Sequence, residues 1–277
     1  MVLVRKANGD LVEFDPEKVI RSCMRSGADR ETAERVVQKV KPRIKSGMKT
    51  RKILKMVLKL LSEEGPQFAA RYDLKGAIMR LGPAGFPFET FFGEVLAEYG
   101  YKTRLRTFLQ GRCIPHEIDV IAKDEETGET LMIECKYKNL AGDYIGVKDI
   151  LYTYARYLDL VEGCKTGACL EINGVWLATN TKFSREVIKY AKCKGINLTG
   201  WEYPGRKSLK RLVEKKKLYP ITVLRSLDSF SQSRLGAAEL MLCKDLLEND
   251  EDYIIEVTGI KRKKLRQMIS EAESILS

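Results

Sequence analysis

The spacing of apolar residues divides the chain into three stretches with different patterns. Residues 1–82 open with alternating apolar and polar positions, and Asn8-Gly9 predicts a two-residue turn between two short strands. Further on, apolar residues recur three and four positions apart, which indicates helices. Asp15 is predicted to cap the first of these helices and Thr50 the third. We therefore expect a mainly helical domain that begins with a strand pair.

Residues 83–203 show a different order of elements. The stretch GPAGFPFE, residues 82–89, carries glycines and prolines typical of a domain boundary. The pattern then predicts a helix, three strands, a helix, a strand, a helix and a strand. Strands joined by a short polar turn predict an antiparallel meander, whereas a strand-helix-strand unit predicts a parallel crossover. The fold class is therefore α/β, with a mixed sheet flanked by helices.

Residues 204–277 are predicted to be helical, with helices at 220–227, 233–249 and 257–276. The stretch begins with GRKSLKRLVEKKK, which sets seven basic residues against the single acid Glu214. This run either binds a polyanion or is a solvated helix face or linker. Near the end, Gly259 precedes a basic helix and resembles half of a helix-hairpin-helix DNA-binding motif. A helical packing or oligomerisation module is the alternative.

Composition narrows the class of protein. At 277 residues and 44% hydrophobic, the chain can build globular domains, and its formal net charge of +11 favours a polyanionic partner such as DNA. No apolar run approaches the roughly 20 residues that a membrane-spanning helix needs, and MVLVRKANGD is too polar for a signal peptide, so we expect a cytoplasmic protein. The seven cysteines lack a CxxC pair and predict buried thiols rather than disulfides or a zinc finger.

Charged residues interrupt two predicted strands in HEIDVIAKDEETGETLMIECKYK, residues 116–138. Glu134 and Lys136 are two residues apart and project from one sheet face, where Asp119 of the preceding strand can meet them. Two carboxylates and the Cys135 backbone carbonyl predict a site for Mg²⁺ or Mn²⁺. Such a metal activates water for phosphodiester cleavage, and Lys136 would orient the water or offset developing charge. The alternative is a salt bridge on a solvated sheet face, worth about 0 to 1 kcal/mol.

Other hydrolytic chemistries lack the residues they need. His116 is the single histidine, so no second histidine is present to complete a zinc site, and we expect it to be a neighbour of the charged residues. GCKTG, residues 163–167, lacks the upstream glycine of a phosphate loop. Hydrolysis would therefore depend on a metal.

The charged residues and the element order together resemble the PD-(D/E)xK nuclease superfamily. GFPFETFFGEVLAEYGY, EIDVIAKDEETGETLMIECKYK and WLATNTKFSREVIKYAKCKGINL are similar to the Mrr-like branch of restriction endonucleases, whose core archaeal Holliday junction resolvases share. The resemblance implies that Asp119 and Glu134 bind the metal and that Lys136 is catalytic. It also implies that Glu89 is the acid on the first helix that completes the site. The alternatives are that its neighbour Glu94 serves instead, or that either residue is a surface charge. Finally, the resemblance implies that Lys138 and Lys148 contact the DNA backbone. The alternative is that both are ordinary solvated lysines.

The N-terminal stretch has a resemblance of its own. VRKANGDLVEFDPEKV, GMKTRKI and AARYDLKGAIMRL are similar to the ATP-cone, the nucleotide-binding regulatory domain of ribonucleotide reductases. The resemblance implies that ATP or dATP binds as an effector at Val4, Lys6, Lys18, Thr50 and Arg80. Ala7 stands where that family usually has an arginine, so the alternative is a retained fold without nucleotide binding.

The leading hypothesis is a metal-dependent DNA endonuclease with an ATP-cone at 1–82, a catalytic domain at 83–203 and a DNA-binding helical domain at 204–277. One alternative is a structure-specific nuclease similar to Holliday junction resolvases. Another is a nucleotide-responsive DNA-binding regulator without catalysis. We expect a homodimer, because many nucleases of this core cut two strands as dimers.

Overall fold

The computed structural model describes residues 2–6, 9–82, 86–140, 142–165 and 170–277, and only the backbone of residues 86 and 87. The strands in chain order are β1 (Leu3–Arg5), β2 (Leu11–Glu13), β3 (Met48–Lys49), β4 (Tyr101–Gln110), β5 (Pro115–Asp124), β6 (Thr130–Lys136), β7 (Tyr144–Ile145), β8 (Gly174–Thr179), β9 (Lys182–Phe183) and β10 (Asn197–Thr199). The helices are α1 (Pro16–Arg25), α2 (Arg30–Val40), α3 (Thr50–Glu64), α4 (Pro66–Tyr72), α5 (Leu74–Ile78), α6 (Phe86–Ala97), α7 (Val147–Cys164), α8 (Arg185–Lys194), α9 (Leu209–Lys216), α10 (Ser229–Ala237), α11 (Asp245–Glu248), α12 (Glu251–Thr258) and α13 (Arg262–Leu276).

The chain forms two compact units. The first unit comprises the chain up to Leu74 together with Val223–Ser226 and Lys261–Ser277, and the second comprises Lys75–Thr222 and Leu227–Ile260. None of the helices in the described residues is long and apolar enough to cross a membrane.

The first unit packs helices beside a small sheet of order β2-β1-β3. β1 pairs antiparallel with β2, as predicted, and parallel with β3. Of the predicted turn, Asn8 lies outside the described residues, and Gly9 has the positive φ of +95° that favours glycine. Asp15 caps α1 by accepting the backbone N–H of Lys18. The prediction that Thr50 caps α3 is wrong, because Lys49 holds the cap position and Thr50 is the first helical residue.

The second unit is built on a five-stranded sheet of order β10-β8-β6-β5-β4. β4, β5 and β6 form an antiparallel meander, whereas β8 pairs parallel with both β6 and β10. The predicted mixed sheet is therefore confirmed. Ile150 and Leu160 of α7 and Val187 of α8 are buried in one core with residues of β5, β6 and β8. The ring of Phe92 on α6 meets Trp176 of β8 edge to face.

The last third of the chain is less helical than predicted. The predicted helix at 233–249 is broken, because α10 ends at Ala237 and only the short α11 follows. Leu240–Cys243 between them is buried, and Leu242 forms an isolated antiparallel bridge with Pro220. Of the predicted helix at 220–227, only a 3₁₀ turn at Ile221–Val223 forms. A continuous apolar run indicates burial without deciding between helix and extended chain.

The cysteines are less uniform than predicted. Cys23, Cys135 and Cys243 are buried thiols, but Cys113 and Cys193 are exposed. Cys164 also differs from the prediction of free thiols, because it is disulfide-bonded.

Candidate active site

The two predicted carboxylates meet where the pairing of β5 with β6 ends. The last paired residues are Val120 and Ile133, so the next positions in the same register are Asp119 and Glu134. At this point Oδ2 of Asp119 accepts a hydrogen bond of 2.7 Å from the backbone N–H of Cys135. The bond ties the Asp119 side chain to β6 and brings it beside the Glu134 position.

Glu134 is buried, and each of its carboxylate oxygens contacts a cation. Nζ of Lys136 lies 2.5 Å from Oε1, as expected for two residues on one strand face. Nη1 of Arg156 pairs with Oε2. A buried carboxylate persists in the charged form only when it is paired in this way. Lys136 and Arg156 therefore supply the positive charges that pair with the buried Glu134 carboxylate.

Arg156 is the residue of the site that the sequence analysis missed. It is only 9% exposed, and its Nη2 donates to the backbone carbonyl of Glu117 on β5. Its Nε is buried and has no hydrogen-bond partner among the described residues. The available signal was its position in α7, where the buried residues Ile150, Thr153, Arg156 and Leu160 recur three and four apart. An arginine in an apolar stripe indicates a buried anionic partner.

An exposed aromatic ring lies beside these cations. The ring centroid of Tyr152 is 5.8 Å from Nζ of Lys136 and 5.3 Å from Cζ of Arg156. Both distances are within the range of cation–π attraction. Tyr152 on α7 is itself 59% exposed.

Of the two candidate helix acids, Glu89 faces the charged residues of the sheet. Burial raises its pKa above the usual range, and the charges that act on it include those of Glu134 and Lys136. The charges that act on Glu94 are instead those of Asp245, Lys244, Glu239 and Glu98. Of the two acids, Glu89 is therefore the one within electrostatic range of Asp119, Glu134 and Lys136.

The protonation of the site follows from its crowding. Burial and the neighbouring Glu134 carboxylate raise the pKa of Asp119 to about 7, although the Cys135 N–H opposes this rise. Burial alone would lower the pKa of Lys136, but the Glu134 carboxylate outweighs it and the net shift is upward. Lys136 therefore stays charged at neutral pH, while Asp119 titrates there.

The donor set suits a hard divalent cation with few protein ligands. Mg²⁺ usually binds one or two carboxylates and retains several waters. Asp119 and Glu134 supply two carboxylates, and burial, with the Glu134 carboxylate as the second cause, raises the pKa of Asp119. The existing ion pairs of Glu134 oppose metal binding, because both of its carboxylate oxygens already contact cations. The described residues contain no group of three or more His, Cys, Asp or Glu side chains that could hold a metal. The predicted third ligand is a backbone carbonyl, that of Cys135, whose thiol is buried and has a pKa well above the usual range.

The remaining predicted neighbours have varied surroundings. Nε2 of His116 lies 2.8 Å from Oδ2 of Asp159 on α7, and the same carboxylate accepts the backbone N–H of Cys113. This pair holds the end of β5 to α7. Lys138 is half-buried and exchanges backbone hydrogen bonds with the side chain of Asn180, whereas Lys148 is exposed at the start of α7. Contacts of both lysines with DNA stay predictions.

The predicted nucleotide residues are distributed over both units. Val4 is buried in β1, and Lys6 follows that strand. Since Arg5 lies opposite Lys49 in the parallel pairing of β1 with β3, Lys6 and Thr50 come next in the same register at the start of α3. Lys18 is exposed in the first turn of α1. Arg80 belongs to the second unit, where its guanidinium donates to the carbonyl of Thr222.

Comparison with known proteins identifies the class of both ends of the chain. Residues 2–74 match the model of the ATP cone domain, so the N-terminal part is an ATP-cone, and this match supports adenine-nucleotide binding. Residues 219–276 match the model described as AF1548-like, C-terminal. Arg80 lies beyond the matched ATP-cone residues.

The chain belongs to the AF1548-like family. An uncharacterised protein of Archaeoglobus fulgidus is 42% identical over 183 residues, which are 66% of this chain and 98% of that protein. A second uncharacterised protein of the same organism is 44% identical over 41 residues, 15% of this chain and 87% of its own. The crystal structure of AF1548, a protein of unknown function, is 42% identical, covers 68% of this chain and 98% of its own, and superposes with a TM-score of 0.59. A match of 183 residues must include residues 95–183, and therefore the region of Asp119, Glu134 and Arg156.

Proposed function

We propose that the protein is a metal-dependent DNA endonuclease of the PD-(D/E)xK type that hydrolyses phosphodiester bonds. The observation that carries the proposal is the meeting of Asp119, Glu134 and Lys136 at the end of the β5–β6 pairing, with Glu89 of α6 within their electrostatic range. The order of α6, the β4–β6 meander, α7 and β8 is the order that the resemblance to Mrr-like nucleases implies.

The proposed roles follow from the chemistry of each side chain. Asp119 and Glu134 would hold Mg²⁺ or Mn²⁺, and the bound metal would polarise the phosphate and lower the pKa of water. Lys136 stays charged and offsets negative charge on the phosphate. Arg156 is a positioning residue, because it joins the Glu134 carboxylate to the backbone of β5.

The direct test is cleavage by the full chain. The purified protein with Mg²⁺ or Mn²⁺ is incubated with plasmid, four-way-junction and single-stranded DNA, and the products are separated on gels. We expect one of these substrates to be cut, and the preferred geometry distinguishes a restriction-type nuclease from a junction resolvase. A folded protein that cuts none of them with either metal contradicts the proposal.

Lys136→Ala should abolish cleavage with little loss of stability, because Arg156 still pairs with Glu134. Lys123→Ala is a matched control, since Lys123 is an exposed lysine on β5 of the same sheet. Cleavage that survives in Lys136→Ala, or that is lost equally in Lys123→Ala, contradicts the assigned role.

The ATP-cone is proposed to bind ATP or dATP as an effector of the second unit. Lys6 and Thr50 at the start of α3 support this, because a helix N-terminus beside a lysine favours phosphate. Cleavage with and without each nucleotide tests the effect, and Lys6→Ala should weaken nucleotide binding. A homodimer remains our expectation for cutting both strands.

A second candidate is a nucleotide-responsive DNA-binding regulator without catalysis. The pairing of both Glu134 oxygens with Lys136 and Arg156 favours it, because the site is charge-balanced around that carboxylate without a metal. Calorimetry with Mn²⁺ separates the two functions. An Asp119-dependent binding signal supports the nuclease, and its absence supports the regulator.

A further inference from the structure

A basic groove lies between the end of β10 and α9, apart from the charged residues of the candidate active site. It has a volume of about 760 Å³ and is lined by Glu202, Gly205, Arg206, Ser208, Lys210, Arg211 and Lys215. We call it the α9 groove. Four cations therefore face one carboxylate in its lining, which favours a polyanionic ligand.

The cations of the α9 groove are largely available to a ligand. Arg206 and Lys215 are exposed and form no ion pair with any residue that the structure describes. Lys210 and Arg211 share the single carboxylate of Glu214, at 3.9 Å and 3.5 Å. Both distances are long for an ion pair and Arg211 is 67% exposed, so these pairs are weak and yield readily to a phosphate.

The α9 groove offers a ligand side-chain cations, because the first amides of the helix are already hydrogen-bonded. The first backbone N–H groups of α9, those of Leu209 and Lys210, donate to the carbonyls of Gly200 and Trp201. The groove therefore lacks the free helix-start amides that favour a single phosphate, whereas exposed side chains along a helix match an extended phosphate backbone. Residues three and four apart on a helix lie about 5–6 Å from each other, so Arg211 and Lys215 can meet successive phosphates.

The groove starts at the same edge of the sheet as the candidate active site. Cys135 of β6 lies beside Ala178 of β8, and Ala178 lies beside Thr199 of β10. These strands are parallel, so the chain leaves β10 toward the groove at the level of Glu134 and Lys136. Two strand spacings separate β6 from β10, which is about 10 Å. A single DNA molecule can therefore span both.

We propose that the α9 groove binds the phosphate backbone of duplex DNA beside the cleavage site. The choice of DNA as ligand rests on the proposed function. Each cation that neutralises a phosphate releases a counterion, so the groove supplies affinity without sequence preference and a steep dependence on salt. An open groove with four exposed or half-exposed cations suits such a backbone better than a small anion.

The test measures DNA binding without cleavage. The full chain is titrated into a short fluorescent duplex in EDTA over a range of KCl concentrations, and anisotropy gives the dissociation constant. Arg206→Gln/Lys215→Gln removes two groove cations that form no ion pair. The matched control, Lys189→Gln/Lys192→Gln, removes two exposed lysines from α8 of the same unit.

We expect the groove variant to bind at least about tenfold more weakly and to lower the salt slope by about two, while the control stays close to the parent protein. Equal affinity and slope in the groove variant overturn the proposal, as does an equal loss in the control. Displacement of the duplex by single-stranded RNA at lower concentration than by unlabelled duplex overturns the assignment to DNA. Because EDTA removes divalent metal, binding that persists in a protein that never cuts DNA refutes only the proposed catalysis.

Discussion

The buried charges of the candidate active site and the exposed charges of the α9 groove obey different physical rules. Glu134 is enclosed, and both of its oxygens contact cations. In the groove, Arg206 and Lys215 form no ion pair within the described part of the chain, and Arg211 is 67% exposed. Charged residues therefore form ion pairs within the candidate active site, whereas charged residues of the α9 groove can still pair with a ligand.

The difference predicts that substituting a buried charge changes the stability of the fold, whereas substituting an exposed charge of the α9 groove changes ligand binding. Removing water from a charge costs several kcal/mol unless a partner compensates, so a buried cation is held by its anion. An exposed cation stays in contact with water and needs no partner in the folded protein. It contributes binding free energy only when an anionic ligand pairs with it. Substitutions in the two regions should accordingly change different observables.

The largest effect is expected at Arg156. Arg156→Met keeps much of the side-chain volume but leaves the Oε2 oxygen of Glu134 buried without its cation. We expect the free energy of unfolding to fall by about 3 kcal/mol, the lower end for breaking a buried pair, because Lys136 remains. Urea denaturation followed by circular dichroism measures the change.

Arg211→Met is the matched control, because Arg211 also pairs with a glutamate, Glu214 at 3.5 Å, but at the surface. We expect a change below about 1 kcal/mol in this variant. Adding Glu134→Gln to Arg156→Met should recover part of the lost stability, since no buried carboxylate is then left short of a cation. The recovery is only partial, because Lys136 loses its Glu134 partner. Equal losses in Arg156→Met and Arg211→Met would show that burial does not set the cost.

A smaller effect with a defined pH window is expected at Asp119. Its pKa is raised from 3.8 to about 7, so the folded protein holds a proton that the unfolded chain releases between these values. Stability must therefore fall as the pH rises through this window, and Asp119→Asn removes that loss. We expect Asp119→Asn to be more stable than the parent protein at pH 8, and this difference to disappear near pH 4. Thermal denaturation across this range provides the measurement.

Mn²⁺ should reverse the order of the two proteins at pH 8. A metal that binds only the folded state stabilises it, and Asp119→Asn lacks one of the proposed ligands. If Mn²⁺ stabilises both proteins equally, Asp119 is not a ligand. A pH dependence that is the same in both proteins would instead show that Asp119 does not titrate in this window.

The fold could be predicted where the sequence pattern is periodic. Alternating apolar positions marked β4 and β5, and the polar turn between β5 and β6 predicted their antiparallel pairing. β7 and β9 were missed because two-residue strands have no period to detect. The break after α10 was missed because residues 240–243 are buried without forming a helix, which a count of apolar residues does not distinguish from a buried helix.

The residues of the candidate site that lie on strands could be predicted from the sequence, whereas the residue on α7 could not. Asp119, Glu134 and Lys136 followed from the two-residue period of neighbouring strands, and the structure brings them together. Arg156 lies 22 residues beyond Glu134, and its partner becomes evident only once α7 packs on the sheet. The same holds for the α9 groove, whose cations were visible as a basic run but whose concave shape depends on how α9 joins β10.

The smallest effect distinguishes two adjacent lysines of α9. Nζ of Lys216 donates to the carbonyl of Glu98 and lies 4.9 Å from the ring centroid of Tyr99, whereas Lys215 lines the α9 groove. Lys216→Ala should lower the free energy of unfolding by about 0.5–1 kcal/mol, because a cation–π contact is lost, and should leave the affinity for duplex DNA nearly unchanged. Lys215→Ala should do the opposite and weaken DNA binding severalfold without affecting stability. Denaturation and anisotropy on the same two preparations measure both quantities. If both variants lose DNA affinity equally, net charge rather than the α9 groove determines binding. The contrast between a cation held by contacts within the protein and a cation that binds ligand then does not apply to α9.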